Sequence, residues 1–224
     1  YILTGKNETA ICKAFRKLIG QSYIPPKWAF GFAQSRWGYK TEADVREIAE
    51  QYRKNHLPLD MICMDIDYMQ NYADFTINKE RFPDLKKLSD DLKAEGIHLV
   101  PIIDAGIRID PDDETCQEGL EKDYFCKKAD GTPFVAAVWP GKAYFSDFLR
   151  PEVREWFGER YHVLTNLGIE GFWNDMNEPA LFYSPDRLKT VLDKAAALRD
   201  KDNIVQEEFF PFIGEVMGLM NSPE

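Results

Sequence analysis

Apolar residues recur along this chain in two alternating arrangements, short continuous runs and longer stretches spaced by three or four, which predicts repeated strand–helix units. Trp28-Ala29-Phe30-Gly31-Phe32-Ala33-Gln34 alternates bulky and small side chains, as one strand would. Thr41-Glu42-Ala43-Asp44 then reads as a helix cap with an acidic first turn. Val45, Ile48, Ala49 and Tyr52 follow at helical spacing, to about Asn55. From Leu59 to Asp67 the chain is nearly all apolar until its end, the mark of a strand covered on both faces. Pro83-Asp84 opens a second helix carrying Leu85, Leu88, Leu92 and Ala94, and Gly96 ends it. Ile97 to Asp104 reads as the third strand. Pro151 starts a third helix in its first turn, with Val153, Trp156, Phe157, Tyr161 and Leu164 on one side. Residues 169–175 read as the fourth strand.

Repeated units of this kind imply a parallel sheet with right-handed crossovers. Carboxylates at the strand C-termini favour an α/β fold of the (β/α)8 TIM-barrel type over a doubly wound sheet. No glycine-rich phosphate loop follows any strand, which weakens the nucleotide-binding version of the alternative. About four units precede Pro179, whereas a whole barrel takes about 250 residues. The expected organisation is therefore a lead-in over 1–26, the first half of a barrel over 27–183, and a helical, Phe-rich segment over 184–224. The chain begins at Tyr1 and reads as cut from something longer. Residues 105–149 form a long excursion with few periodic signals. Its aromatics, including Tyr124, Phe125, Phe134, Trp139, Tyr144 and Phe145, point to a packed, functional segment.

Composition narrows the partners. The 224 residues are 44% hydrophobic and carry 28 Lys and Arg against 38 Asp and Glu, a net charge of -10. That balance argues against nucleic acid or an anionic membrane surface as partner, and no apolar run is long enough to span a bilayer. Cys12, Cys63, Cys116 and Cys126 fit neither a zinc site nor a disulfide framework, so free thiols in a reducing cytoplasm are expected. His56, His98 and His162 lack ligand spacing. No metal and no organic cofactor is expected; association of identical chains is left open.

Candidate chemistry concentrates in Trp173-Asn174-Asp175-Met176-Asn177-Glu178-Pro179, where a short apolar stretch ends. Side chains alternate along a strand, so Trp173 and Asp175 share a face. A carboxylate over an aromatic floor suits a sugar ring. By the same parity Asp65 and Asp67 share a face of the second strand, and Ile102 and Asp104 share one of the third. Three consecutive strands thus end in Asp at one rim, where single residues would serve only as loop caps or partners of an arginine. Asp65-Ile66-Asp67 also has the form of a metal-binding DxD of a sugar-nucleotide transferase, although no diphosphate site accompanies it. Asn177-Glu178-Pro179 resembles the acid/base motif of retaining β-glycosidases, with Glu178 as the acid. No Ser-His-Asp or Cys-His arrangement is evident.

Several motifs together resemble glycoside hydrolase family 31, the α-glucosidase family, over roughly residues 23–183. They are Trp28-Ala-Phe-Gly-Phe, Gln34-Ser-Arg-Trp-Gly-Tyr39, Asp65-Ile-Asp-Tyr68, Asp74-Phe-Thr76, Phe82-Pro-Asp84, Ile103-Asp-Ala-Gly-Ile107, Val138-Trp-Pro-Gly141 and Gly171-Phe-Trp-Asn-Asp-Met-Asn-Glu-Pro179. The resemblance implies double displacement with retention, on terminal α-linked glucose of oligosaccharides, with Asp175 as nucleophile. It gives Glu178 an orienting task and Asp65 the hydroxyls of the nonreducing sugar, with Ile66 beside it. It implies that Ile102, Trp139, Trp173 and Met176 line the same subsite, that Trp37 lies near the leaving sugar, and that Asp104 stands at the rim. The acid/base Asp of the family falls after residue 224. Within the family, α-xylosidase, transglucosidase and α-glucan lyase remain alternatives. So does a carbohydrate-binding fragment without turnover, since the acid is missing.

Overall fold

Short parallel strands joined by helices carry the fold of the computed structural model, which describes residues 2–178 and 180–219. In chain order the elements are α1 (Glu8–Ile19), β1 (Ala33–Ser35), α2 (Glu42–Lys54), β2 (Met61–Met64), α3 (Leu85–Ala94), β3 (His98–Asp104), β4 (Gly106–Arg108) and α4 (Glu114–Glu121). They continue with β5 (Val135–Val138), β6 (Gly141–Phe145), α5 (Pro151–Arg160), α6 (His162–Thr165), β7 (Trp173–Asp175), α7 (Pro185–Arg199) and α8 (Gln206–Met217). Among the described residues, β1, β2, β3 and β7 form one parallel sheet in that order, as the first strands of a barrel do.

Burial explains why these segments stay put. Val45 and Ala49 of α2 and Leu85, Leu88 and Leu92 of α3 join Ile62, Met64, Leu99 and Ile103 in one core cluster. Each of the Val, Leu, Ile and Met side chains among them contributes roughly 1.5–3 kcal/mol when removed from water. The expected caps form: Thr41 and Asp44 make a reciprocal capping box, and Asp84 accepts from Lys87 N–H at the start of α3.

Several sequence expectations need correction. Trp28 to Gln34 is not one strand. Lys27–Phe30 is a 3-10 turn, and the strand is confined to Ala33–Ser35. Asp60 accepts from Phe32 N–H at 2.8 Å and fills the place a side chain at Gly31 would take, which bends the chain there. Trp28 instead stacks on His98, ring centroids 4.3 Å apart, in space that Gly171 leaves free. Similarly, β2 stops at Met64. The Asp65 carboxylate accepts from Ile66 N–H at 2.8 Å and caps a 3-10 turn over Ile66–Tyr68. Asp67 therefore leaves the face that Asp65 occupies. The fourth strand is shorter than expected, and helix α1 in the lead-in was not foreseen.

The excursion over 105–149 has its own order. The strands β4, β6 and β5 form an antiparallel sheet, with α4 inserted between β4 and β5. The turn between β5 and β6 carries Trp139, whose ring meets Trp37 of the loop after β1.

Candidate active site

Strand register assembles the site. Ile102 pairs with Trp173 and Asp104 with Asp175, so these side chains stand side by side on one face of β3 and β7. Asp65 extends β2 by one residue beyond the Met64–Pro101 pair, which brings it level with Ile102. Trp173 Nε1 donates to the Met64 carbonyl at 3.3 Å, laying the indole across the inner face towards β2. Asn174 turns the other way and accepts from the Tyr161 hydroxyl at 2.7 Å. Asp175 thus points with Trp173, away from α5, and it is exposed. A hollow of about 400 Å³ opens at the ends of β3 and β7 on the side of α5, bordered by Ile103, Asn174, Phe157 and Tyr161 as well as Asp104 and Asp175, and not by Trp173 or Asp65.

The carboxylates interact. Burial pushes Asp104 up to about 7, and the negative charges of Asp175 and Asp65 push the same way. Both Asp104 carboxyl oxygens are buried without a hydrogen-bond partner among the described residues. Its backbone N–H donates to Asp74 Oδ1 at 3.0 Å. Burial, then the charge of Asp104, holds Asp74 well above the usual carboxylate range. Asp65 is raised too, mainly by burial, against the lowering effect of the Ile66 N–H. The rim thus holds acidic groups whose ionisation is mutually costly.

Aromatic residues flank this cluster. Trp37 is 65% exposed and Trp139 is 38% exposed, with ring centroids 5.6 Å apart. Phe182 meets Trp139 edge-on at 4.9 Å. It is delivered there by backbone bonds between Ala137 and the 182–183 segment. Sequence reading passed over Phe182, because only that bridge across distant segments brings it in. Met176 adopts a positive φ of 58° and packs on the second apolar cluster, which includes Val138, Phe145 and Leu181. Ile66 and Ile102 are buried in the main core, so they back the pocket from beneath. Glu178 is exposed in the turn after β7, and Pro179 lies outside the described residues.

Asp67, expected beside Asp65, is elsewhere. Its carboxylate is buried against Gly38 and faces Arg81, Nη1 to Oδ1 3.4 Å. The two acids of the DxD therefore do not converge on one point. Among the described residues, no cluster of three or more His, Cys, Asp or Glu is arranged to hold a metal.

Comparison with known proteins gives a consistent result. Residues 22–207 match the family model described as the TIM-barrel domain of glycosyl hydrolases family 31. The chain is 44% identical over 218 residues to "Alpha-glucosidase 2" of Bacillus thermoamyloliquefaciens, covering 97% of this chain and 27% of that protein. Among solved structures, a glucosidase II alpha subunit superposes with a TM-score of 0.74 at 31% identity, covering 79% of this chain and 19% of that one. The family 31 alpha-glucosidase of Bacteroides thetaiotaomicron gives 0.70 at 39% identity, covering 76% and 29%. The chain thus spans less than a third of the length of each of these proteins.

Proposed function

We propose, from the premise that this chain belongs to glycosyl hydrolases family 31, that it supplies the nucleophile side of the active site of a retaining α-glucosidase. Its substrate is a small oligosaccharide ending in α-linked glucose. Asp175 attacks C1 of that glucose, and the bond from C1 to the leaving oxygen breaks as the carboxylate ester forms. A carboxyl group outside these residues protonates the leaving oxygen and then takes a proton from the water that cleaves the ester. Two inversions at C1 restore the α configuration. Both chemical tasks fall to carboxyl groups, so no step calls for a metal or organic cofactor.

One observation carries the reading: the register that sets Asp104 beside Asp175, with Trp173 one layer below and Asp65 level on β2. Asp65 accepts from hydroxyls of the nonreducing sugar. The Trp173 indole and Met176 bound its apolar face, while Ile66 and Ile102 keep the floor rigid. Trp139 joins the apolar wall of that subsite, and Trp37, its ring neighbour, stands towards the leaving sugar. Glu178 serves to orient the nucleophile through hydrogen bonds that keep it ionised and aimed. The names of the relatives support the substrate class.

The test is Asp175→Asn in the full-length protein. Turnover of maltose should fall at least about 10³-fold, since a carboxamide cannot form the ester, while the thermal midpoint stays near that of the wild type. Retained turnover in a folded variant overturns the assignment.

A further inference from the structure

The turn after β2 does two things at once. Its first residue, Asp65, faces the site. Asp67, two residues on, turns back beneath the neighbouring loop. Asp67 is 3% exposed, and its Oδ2 has no hydrogen-bond partner among the described residues. That oxygen lies where a side chain on residue 38 would begin: a Cβ added to Gly38 would come within 2.0 Å of it. Only glycine lets the carboxylate seat there. Arg81 closes the other side through Oδ1 at 3.4 Å.

The loop above this wedge presents Trp37. Its far end is tied down: Gln34 Nε2 donates to the Tyr39 hydroxyl at 3.0 Å, and Tyr52 donates to Gln34 Oε1 at 2.5 Å. Lys40 and Thr41 N–H groups both donate to Asp44 Oδ2, at 3.0 and 2.8 Å. Between these anchors and the Asp67 wedge, Trp37 is held out as a largely exposed indole against Trp139. An exposed tryptophan on a fixed loop, set against a second exposed indole, is a recognition surface rather than core. Trp37, Gly38, Lys40, Asp67, Tyr72 and Arg81 also border a hollow of about 310 Å³.

We propose that Asp67, held by Arg81 and seated on Gly38, is a positioning residue that sets Trp37 against the sugar on the leaving side of the scissile bond. One short turn then controls both sides of that bond: Asp65 meets the nonreducing glucose, and Asp67 fixes the wall met by its neighbour. The inference rests on the glycosidase reading above. It assigns leaving-group preference to a residue that touches no substrate.

The experiment compares two substrates on the full-length enzyme. Maltose carries a leaving sugar, while α-glucosyl fluoride carries none. In Gly38→Ala the new methyl must displace the carboxylate or the loop, and kcat/KM should fall about tenfold further on maltose than on the fluoride, chiefly through KM. Asp67→Asn should show the same bias to a smaller degree. Trp37→Ala should reproduce the bias, and combining it with Gly38→Ala should add little, because both act through the same indole. If Gly38→Ala does not fold, Asp67→Asn and Trp37→Ala decide the matter alone. Equal losses on both substrates, or full additivity of the two changes, overturn the proposal. Failure of the underlying reading looks different: the wild type would then cleave neither substrate, or Asp175→Asn would keep its turnover.

Discussion

Asp67 and Asp104 are equally withdrawn from solvent, each 3% exposed, yet their electrical surroundings are opposite. The turn after β2 gives Asp67 a cation, Arg81. The end of β3 gives Asp104 other carboxylates, with Asp175 and Asp65 both raising it. A buried carboxyl group can be accommodated by pairing its charge or by holding its proton. The first solution serves a structural wedge. The second leaves a group that changes charge near neutrality beside the proposed nucleophile.

The sharpest way to test this contrast is the pH dependence of stability. Asp104 has a folded value of about 7, against about 3.9 for an unfolded Asp. Between those values the folded state keeps a proton that the unfolded state has released. The contribution of Asp104 to stability is therefore full below about pH 4, declines as pH rises towards 7, and is lost above that. Asp104→Asn should remove this decline and raise the thermal midpoint at pH 8 by roughly 5–10 °C. Asp74, held well above the usual carboxylate range mainly by burial, keeps a decline of its own in that variant. An unchanged profile between pH 5 and 8 would place the proton elsewhere.

On the other side of the comparison, Arg81→Ala leaves the Asp67 carboxylate buried without its cation. A loss of about 1–3 kcal/mol in a denaturant titration at neutral pH follows from that desolvation, and undiminished stability would mean that the Arg81 contact does not support the wedge. Thr41→Ala removes one helix cap, whose hydroxyl bonds within Thr41–Asp44 and touches neither buried acid. It should cost about 1 kcal/mol at every pH, and a pH-dependent loss would show coupling to the rim.

Much of this arrangement was legible in the sequence where a single periodicity governs. The caps at Thr41 and Asp84, the buried runs around Met64 and Ile103, and the shared face of Trp173 and Asp175 all follow from local rules. What escaped was set by contacts between distant segments. Trp28 left its expected strand because His98 offers a stacking partner and Gly171 leaves room. Asp67 left the face of Asp65 because a side-chain cap ended β2 early, and no alternation rule survives such a turn. Phe182 reaches the site only through a bridge to Ala137. The antiparallel sheet over 106–145 was hidden because its strands are short and two of them are mostly buried, with little alternation to read.

The most direct measurement is to trap the glycosyl-enzyme. A glucosyl fluoride slowed by a second, ring-placed fluorine should label the full-length protein once, and peptide mapping should place the added mass on Asp175 and remove it in Asp175→Asn. Label on Glu178 or Asp104, with Asp175 unmodified, would contradict the assignment of the nucleophile.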